Sequence, residues 1–438
     1  MGGASVDRLE KAIRDVSGPQ LGTHALRLDQ NLGQDPSQHP VSWSAPSTLN
    51  GPINWCANHW DRTPTRERSA IIRVVSEISV AALVPYAPVT TPSQRFRIEQ
   101  WIPFLAARDI NVRVVPFAGP VLTRLMQSPG HVLLKASLAA AAVARQTHRI
   151  AFGRLGDVVL VHRAAALLGP PVLERLLTLR GRPLVFDFDD AIFLPHETET
   201  NRRLSWMKSP GKTGTICRLS AHVVVGNAYL AEYARRFNPR VSVVPSSIDT
   251  DRYQPLPVTR ADGRMVVGWM GSSTSQSYLE MFAGMLREVA ALPNVEIRVV
   301  SNRRPDLPGV PVVWRPWSAA TEVEDIASFD VGIMPMPDTQ WALGKCALKA
   351  LQYMAMGVAT AASAVGANRE VIEHGRNGLL ASTDAEWVAS LRTLAANPEL
   401  RARLGHAGRV TVETRYSMRS SAAAFAEVVR SVVERTRP

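Results

Sequence analysis

Several features that are scarce or absent in the sequence narrow the possible classes of protein. Only 3 of 438 residues are cysteine, and Cys56, Cys217 and Cys346 are spaced neither as a disulfide framework nor as a metal site. No apolar run approaches the ~20 residues that span a bilayer, and no secretory signal is evident. Basic residues are scattered, without a nucleic-acid-binding motif. We therefore expect a cytoplasmic protein with reduced thiols that does not bind nucleic acid.

The charge is mostly basic and is unevenly distributed. The net charge of +12 divides into +10 for residues 1–250, with 29 Lys or Arg against 19 Asp or Glu, and +2 for the rest. A basic half favours an anionic partner, although an arginine-rich composition alone gives the same excess. Residues 131–155 carry Lys135, Arg145 and Arg149 beside apolar residues. This segment predicts either a buried core helix or a helix on an anionic membrane surface.

The order of strands and helices predicts two domains of one fold class. Residues 1–72 contain a long stretch rich in Pro, Ser, Gly and Asn without periodicity, so we predict a poorly structured extension. Over residues 73–250, and again over 251–415, short apolar strands alternate with amphipathic helices. This alternation predicts two doubly wound, Rossmann-like α/β domains. Residues 416–438 predict a C-terminal helix that returns to the first domain.

Three carboxylates, Asp187, Asp189 and Asp190, follow an apolar strand in the stretch "LVFDFDDAIF". They lie where open α/β sheets bind ligands, at the carboxyl end of a strand. Such an Asp-x-Asp can hold a metal against a nucleotide diphosphate, supply the nucleophile of a haloacid-dehalogenase-type phosphatase, or line a metal-free acceptor cleft. The phosphatase is disfavoured because Ala191 replaces its usual Thr or Val, after about a hundred residues of sheet.

The stretch "GWMGSSTSQSYLE" predicts a strand, a glycine turn and a helix. At Gly271 the missing side chain lets the backbone approach a phosphate, and Ser272 and Ser273 can donate hydrogen bonds to it. A glycine turn between strand and helix is also ordinary architecture, so this motif indicates a phosphate site only together with others.

The stretch "GKCALKALQYMAMG" predicts a helix with Lys345, Lys349 and Gln352 on one face. The lysines lie at the helix start, where a cation alone is unfavourable and free backbone NH groups attract an anion. Both a bound anion and a solvated helix face are consistent with this pattern.

These stretches, together with "DVGIMPMPDTQW", "REVIEHGRNGLLA" and "NPELRARLGHAGRVTVETRYS", resemble the group 1, family 4 glycosyltransferases of the GT-B fold. The resemblance runs from about residue 75 to the end and is most specific over 329–381. It implies two Rossmann-like domains that face a cleft. The second would bind a nucleotide-diphosphate sugar and the first the acceptor. Transfer would proceed with retention, without a cofactor or a required metal.

The sequence departs from the family pattern in two places. The family's usual pair of glutamates would fall at Gly344 and Gln352, as in a bacterial subgroup with Gln at the second position, and no basic residue lies between Gly268 and Glu280. The two lysines, Lys345 above all, are then the candidates to stabilise the leaving diphosphate, and Gln352 to bond the ribose diol. Because both usual glutamates are missing, the alternative is a protein that binds a nucleotide sugar without catalysing its transfer.

The candidate residues of the first domain are assigned from their positions after predicted strands. Asp189 is the candidate general base if one is needed, while Asp187 and Asp190 either bind the acceptor or cap the following turn. Arg95 and Arg97, after the first strand, either bind an acceptor phosphate or lie on the surface.

Three further residues have weaker support. In the second domain Trp317 either flanks the nucleotide base or packs between domains, and Glu370 either contacts the sugar or caps a helix. His162 is expected to form a hydrogen bond at a strand end. The expected acceptor is a glycan or a lipid-linked molecule, in cell-surface polysaccharide or glycolipid synthesis at the inner face of the membrane.

Overall fold

The computed structural model describes residues 77–126, 130–167, 169–194, 211–257 and 263–436. The predicted extension of residues 1–72 lies outside these ranges. The described residues form two parallel sheets of six strands each, with helices between most successive strands. The predicted fold class, two Rossmann-like doubly wound α/β domains, is confirmed.

The first sheet has the strand order β2-β1-β3-β4-β5-β6. Its central strands β3 and β4 are short, mainly apolar runs with every residue buried, as expected for a parallel sheet covered on both faces. In the register of β3 and β4, His162 pairs with Asp187, so the ends of these two strands lie side by side. The six strands are β1 Ile78–Val84, β2 Ile110–Pro116, β3 Val158–His162, β4 Leu184–Phe188, β5 His222–Val225 and β6 Val241–Val243.

The second sheet has the order β12-β11-β10-β7-β8-β9. The strand order reverses between β7 and β10, and ligands of open α/β sheets bind at such a switch point. The six strands are β7 Met265–Gly271, β8 Val295–Ser301, β9 Val312–Pro316, β10 Val331–Met334, β11 Ala359–Ser363 and β12 Leu379–Ala381.

Helices connect the strands in both domains. Those of the first are α1 Pro92–Arg97, a 3-10 helix Glu99–Trp101, α2 Ile102–Ala106, α3 Pro120–Met126, α4 Val132–Phe152, α5 Val172–Leu179, α6 Lys212–Leu219 and α7 Ala228–Arg235. Those that follow are α8 Ser273–Glu280, α9 Ala283–Ala290, α10 Glu322–Ala327, α11 Gln340–Leu343, α12 Leu348–Ala355, α13 Asn368–Val371, α14 Asp384–Ala396, α15 Pro398–Arg415 and α16 Met418–Thr436.

The alternation of strands and helices predicts single helices near 92–108 and 276–291, and both are broken into shorter pieces. The predicted helix near 92–108 is interrupted by the 3-10 turn and restarts with Pro103 in its first turn, where proline is tolerated. The predicted helix near 276–291 is two helices that meet at Met281 and Phe282. Apolar periodicity continues across both breaks, so the pattern alone did not indicate them.

The last helix, α16, packs against the first domain. The rings of Trp101 and Phe425 lie 5.5 Å apart, and the Arg430 guanidinium donates to the Arg108 carbonyl at 3.0 Å. A backbone bridge between Ile248 and Ser417 fixes the start of the helix. None of the described helices is both long enough and apolar enough to cross a membrane.

Candidate functional site

The residues after β4 contact the residues before α12, which joins the two domains at one edge. The Lys345 ammonium donates to Asp190 Oδ1 at 2.8 Å, and the Cys346 thiol donates to the Asp189 carbonyl at 3.1 Å. The Asn227 side chain donates to the Lys345 carbonyl at 3.0 Å. The structure therefore brings together Asp189, Asp190 and Lys345, which are distant in the sequence.

Arg163 completes this group from the end of β3. Its Nε and Nη2 donate to Asp189 Oδ1 at 3.0 and 2.8 Å, and it also donates to Asp190. The backbone of Arg163 has a φ of 62°, in the left-handed region that non-glycine residues rarely adopt. Such strain concentrates where a side chain must point in one direction. Here that direction is the pair of carboxylates.

The ion pairs change the proton affinities of the group. Burial alone raises the pKa of Asp189, but Arg163, His162 and Arg97 outweigh it and hold the pKa well below its usual range. A carboxylate with so low a pKa is a poor proton acceptor at neutral pH, which argues against Asp189 as a general base. Burial lowers the pKa of Lys345, but Asp190 outweighs it, so the net pKa is raised and Lys345 stays cationic.

Lys349 lies one turn further along α12, next to the glycine turn after β7. Its ammonium lies 5.4 Å from the centre of the Trp269 ring. A Cβ at Gly271 would lie 2.6 Å from the Trp269 ring and 2.7 Å from the Lys349 Cε, so a larger residue there would require these side chains to shift. Burial, with a smaller contribution from Lys345, lowers the pKa of Lys349 to about 8. We call Arg163, Asp189, Asp190, Lys345 and Lys349 the cleft cluster.

The cleft cluster has more cations than carboxylates. Asp189 and Asp190 are paired with Arg163 and Lys345, and no carboxylate of the described residues forms an ion pair with Lys349. The side chains of Arg163 and Lys345 remain 28% and 31% exposed. The cluster therefore presents a positive surplus at the carboxyl edge of both sheets, which suits an anionic ligand.

Asp187 belongs to a different group, which is closed to solvent. The Asp187 carboxylate accepts from Arg97 Nη2 at 2.5 Å and is 2.7 Å from His162 Nδ1. The exposed fraction of these side chains is 0% for Arg97 and Asp187 and 1% for His162. Burial raises the pKa of Asp187, but Arg97 and His162 outweigh it and the net pKa is lowered. We call Arg97, Asp187 and His162 the buried triad.

The buried triad changes the interpretation of two predicted residues. Because neither Arg97 nor Asp187 is exposed, direct contact with an acceptor would require the triad to open. Contact of Arg97 and Asp187 with an acceptor stays a prediction. In the structure the two side chains bond each other in the interior, as a stabilising ion pair does. His162 forms the expected hydrogen bond at the end of its strand.

A second buried network spans the two domains. Arg95 Nη2 donates to both oxygens of Glu322 at 2.9 and 3.0 Å. The Gln352 amide donates to Glu322 at 2.9 Å and to the Tyr253 hydroxyl at 3.1 Å. Arg95 is therefore engaged across the domain interface. Gln352 is 5% exposed, and its contact with a ribose stays a prediction.

The remaining predicted donor-site residues are exposed or contact other groups. Trp317 is 39% exposed, and the Glu370 carboxylate accepts from the Ala228 NH at the start of α7, 3.3 Å away. The Ser273 NH donates to the Asn302 side chain at 2.7 Å, and the side chain of Ser272, just before α8, is exposed. Their contact with a nucleotide sugar is untested.

Sequence reasoning missed three residues that position the site: Arg163, Asn227 and Glu322. A signal existed for Arg163, because it directly follows β3, the neighbour of the strand that ends at Phe188. Asn227 had a local signal as the cap of α7, where its side chain accepts from the Leu230 NH. For Glu322 no local pattern indicates a partner 227 residues away.

Comparison with known proteins gives a family for part of the chain. Residues 264–397 match the sequence profile of the family Glycosyl transferases group 1. A search among curated proteins found no match.

Solved structures resemble the described chain over both domains. Sucrose-phosphate synthase from Thermosynechococcus elongatus has a TM-score of 0.59 at 13% identity, with 82% of this chain and 100% of that chain covered. HepE from Anabaena, solved with UDP and glucose, has a TM-score of 0.56 at 17% identity, covering 81% and 100%. A glycosyltransferase from Rickettsia africae has a TM-score of 0.56 at 13% identity, covering 82% and 99%.

At these identities the likeness concerns the fold, while the profile match concerns the second domain. Residues 264–397 therefore match a group 1 glycosyltransferase domain, within a chain whose two-domain fold is similar to that of solved GT-B glycosyltransferases.

Proposed function

We propose that the protein transfers a sugar from a nucleotide-diphosphate sugar to an acceptor hydroxyl, with retention at the anomeric carbon. One observation carries the proposal: Lys349 lies beside the Gly271 turn, and Lys345 and Arg163 both bond Asp190, in a cluster with surplus positive charge. HepE, which has a similar fold, was solved with UDP and with UDP-glucose. A nucleoside diphosphate is therefore the anion that we assign to the cluster.

The chemistry follows from the charge that develops during transfer. When the bond between the anomeric carbon and the phosphate oxygen breaks, the sugar becomes oxocarbenium-like and the diphosphate gains negative charge. Preorganised cations at that oxygen are the largest available stabilising term. Lys345 fits this role because Asp190 raises its pKa and keeps it charged.

The acceptor proton has a destination that needs no dedicated base. As the acceptor oxygen bonds to the anomeric carbon, its proton passes to the departing phosphate oxygen. Asp189 was the candidate for a separate base, and its low pKa makes that role unfavourable. We assign Asp189 the role of orienting Arg163 instead.

A metal-dependent transfer by the Asp-x-Asp is the first alternative. Arg97 is bonded to both oxygens of Asp187 and Arg163 to Oδ1 of Asp189, so arginines occupy three of the four oxygens that a metal could use there. Within the described ranges, no group of three His, Cys, Asp or Glu side chains could hold a metal ion. We expect activity to survive EDTA. A strict requirement for manganese or magnesium would restore this alternative.

A non-catalytic nucleotide-sugar-binding protein is the second alternative, since neither usual glutamate is present at Gly344 or Gln352. The test uses a panel of nucleotide sugars with the full chain. Release of free nucleoside diphosphate, even slow release to water, supports a transferase, and the anomer formed with an acceptor tests retention. A thermal shift without any release would support the binding protein.

We also propose that the acceptor is a glycan or a lipid-linked molecule, in cell-surface polysaccharide or glycolipid synthesis. The enzyme would then work in the cytoplasm, at the inner face of an anionic membrane. The +10 charge of residues 1–250 supports this placement.

A further inference from the structure

The outer face of α4 is apolar although it is exposed. Leu133, near its start, is 87% exposed, and Phe152, at its end, is 77% exposed. The opposite side of the helix holds its buried residues, Ala142, Gln146 and Ile150. At helical spacing the outer face consists of Leu133, Ser137, Ala141, Ala144, His148 and Phe152.

A helix that only meets water usually presents charged and polar side chains on its outer side. The outer face of α4 has none of the charged residues that this role predicts. Its aromatic end is compact, because the rings of His148 and Phe152 lie 5.2 Å apart.

The charged residues in the sequence segment that contains α4 all have one sign. Between Asp109 and Asp157 the sequence has no Asp or Glu and six Arg or Lys. Arg145 and Arg149 are exposed beside the outer face. A basic segment of this kind attracts anions.

A recess at the end of α4 concentrates part of this charge. It is a cavity of about 180 Å³ at β2, the edge strand of the first sheet, and Arg113, Arg149 and Arg154 line it. The Arg113 guanidinium donates to the Arg154 carbonyl at 2.6 Å, and all three side chains are exposed. Phe152 therefore lies next to a group of cations that a phosphate could reach.

The connectivity puts the other end of α4 near the cleft. The helix follows β2 and precedes β3 in a parallel sheet, so it runs opposite to the strands and begins at their carboxyl edge. The cleft cluster occupies the same edge. A surface bound along α4 would thus lie close to where an acceptor enters.

We propose that the outer face of α4 and the arginine-lined recess dock on an anionic lipid surface. Leu133 and Phe152 enter the boundary between headgroups and acyl chains, and the arginines contact lipid phosphates. Stable attachment of peripheral proteins usually needs two such signals, apolar burial and basic charge. This docking goes beyond the sugar transfer and applies equally to a non-catalytic protein.

The test is flotation of the full chain with vesicles. Binding is expected to phosphatidylcholine vesicles that contain phosphatidylglycerol, to weaken at high salt, and to be negligible with phosphatidylcholine alone. The pair Leu133→Gln with Phe152→Gln should lower the partition coefficient about tenfold, and so should Arg149→Glu with Arg154→Glu. The pairs Met281→Gln with Val410→Gln and Arg304→Glu with Arg392→Glu are the matched controls, since all four residues are exposed in the second domain. They should bind as the wild type does.

Three results would overturn the proposal: no binding to acidic vesicles at low salt, equal binding to neutral vesicles, or α4 variants that bind as well as the controls. A dimer in light scattering that Leu133→Gln dissociates would assign the face to a second copy. Nucleoside diphosphate release without vesicles should be unchanged in the α4 variants. Nucleoside diphosphate release therefore tests the transferase assignment, and flotation tests the docking, so that the failure of one is distinguished from the failure of the other.

Discussion

The buried triad and the cleft cluster both take their carboxylates from one stretch of four residues, 187–190. Asp187 lies within β4, where its carboxylate is enclosed by Arg97 and His162. Asp189 and Asp190 lie beyond the strand end and bind cations that remain about one-third exposed. Asp187 and Asp189 are thus only two residues apart, yet the first forms a buried ion pair and the second an ion pair that a ligand can reach.

The difference between the two groups is one of charge balance and access. In the buried triad an arginine and an aspartate offset each other, and no exposed surface is left for a ligand. In the cleft cluster a third cation, Lys349, has no ion-pair partner among the described residues. An Asp-rich motif therefore marks a site only where its carboxylates pass the end of the strand and meet a surplus of the opposite charge.

The largest expected effect is on stability, from Arg97→Ala. This change leaves the Asp187 carboxylate and the Val244 carbonyl without their guanidinium partner in the interior. Removing one partner of a buried pair costs about 3 to 5 kcal/mol of unfolding free energy. Urea denaturation measures the loss.

The matched variant for this prediction is the pair Arg97→Met with Asp187→Leu, which removes both charges. Apolar replacement of a whole buried pair is often close to neutral, so most of the lost stability should return. If the double variant is stable yet inactive, the triad has a role beyond structure, and the predicted acceptor contact of Arg97 and Asp187 regains support.

The second effect is on transfer, from Lys345→Ala. If its charge acts mainly in the transition state, the rate should fall about 100-fold or more, about 2.7 kcal/mol. Stability should change by less than about 1 kcal/mol because the Lys345 pair is partly exposed. Nucleoside diphosphate release and urea denaturation of the same variant separate the two quantities.

Lys345→Arg is the control, because it keeps the charge with a different donor geometry, and it should retain more activity than Lys345→Ala. Near-normal turnover of a well-folded Lys345→Ala would mean that other groups hold the diphosphate. The cleft cluster would then be a domain contact, like the buried triad.

The sequence predicts the sheets better than the site. Strands such as β3 and β4 are short apolar runs next to turn residues, and this local signal is enough to find them. The same local pattern places Asp187, Asp189 and Asp190 at the end of a strand. Which carboxylate faces inward depends on the pleat and on partners such as Arg97, 90 residues away.

The pairs that join the domains are harder to predict. Lys345 and Asp190 are 155 residues apart, and Arg95 and Glu322 are 227 apart. No periodic pattern encodes such a contact, because it depends on how two separately folded sheets face each other. Arg163 likewise bonds two carboxylates that are 26 and 27 residues away in the sequence.

The third effect is on pH dependence, through Lys349. Its pKa of about 8 in the free protein means that it loses its charge as the pH rises through that value. A diphosphate binds the charged form, so affinity should fall at higher pH, by about tenfold between pH 7 and 9 if the neutral lysine contributes nothing. Calorimetric titration with UDP at pH 7, 8 and 9 measures this change in affinity.

Lys349→Arg stays charged over this range and serves as the control, since it removes the titrating group and keeps the cation. The fall in UDP affinity should be absent or much smaller in this variant, which also accounts for any titration of UDP itself. An equal fall in both proteins would place Lys349 away from the diphosphate.

The smallest expected effect comes from Asp190→Asn and tests whether the cleft cluster is already occupied by its own carboxylate. Asp190 Oδ1 accepts a hydrogen bond from the Lys345 ammonium at 2.8 Å. A diphosphate that binds Lys345 must share or displace this contact. Removing the charge of a partly exposed pair should tighten UDP binding about two- to fivefold, within the ~1 kcal/mol of such pairs. Glu288→Gln, which removes an exposed carboxylate on α9, controls for net charge and should leave affinity unchanged. Weaker UDP binding in Asp190→Asn would mean that Asp190 holds Lys345 in place for the ligand. The carboxylate would then be a positioning group, as Asp187 is for Arg97.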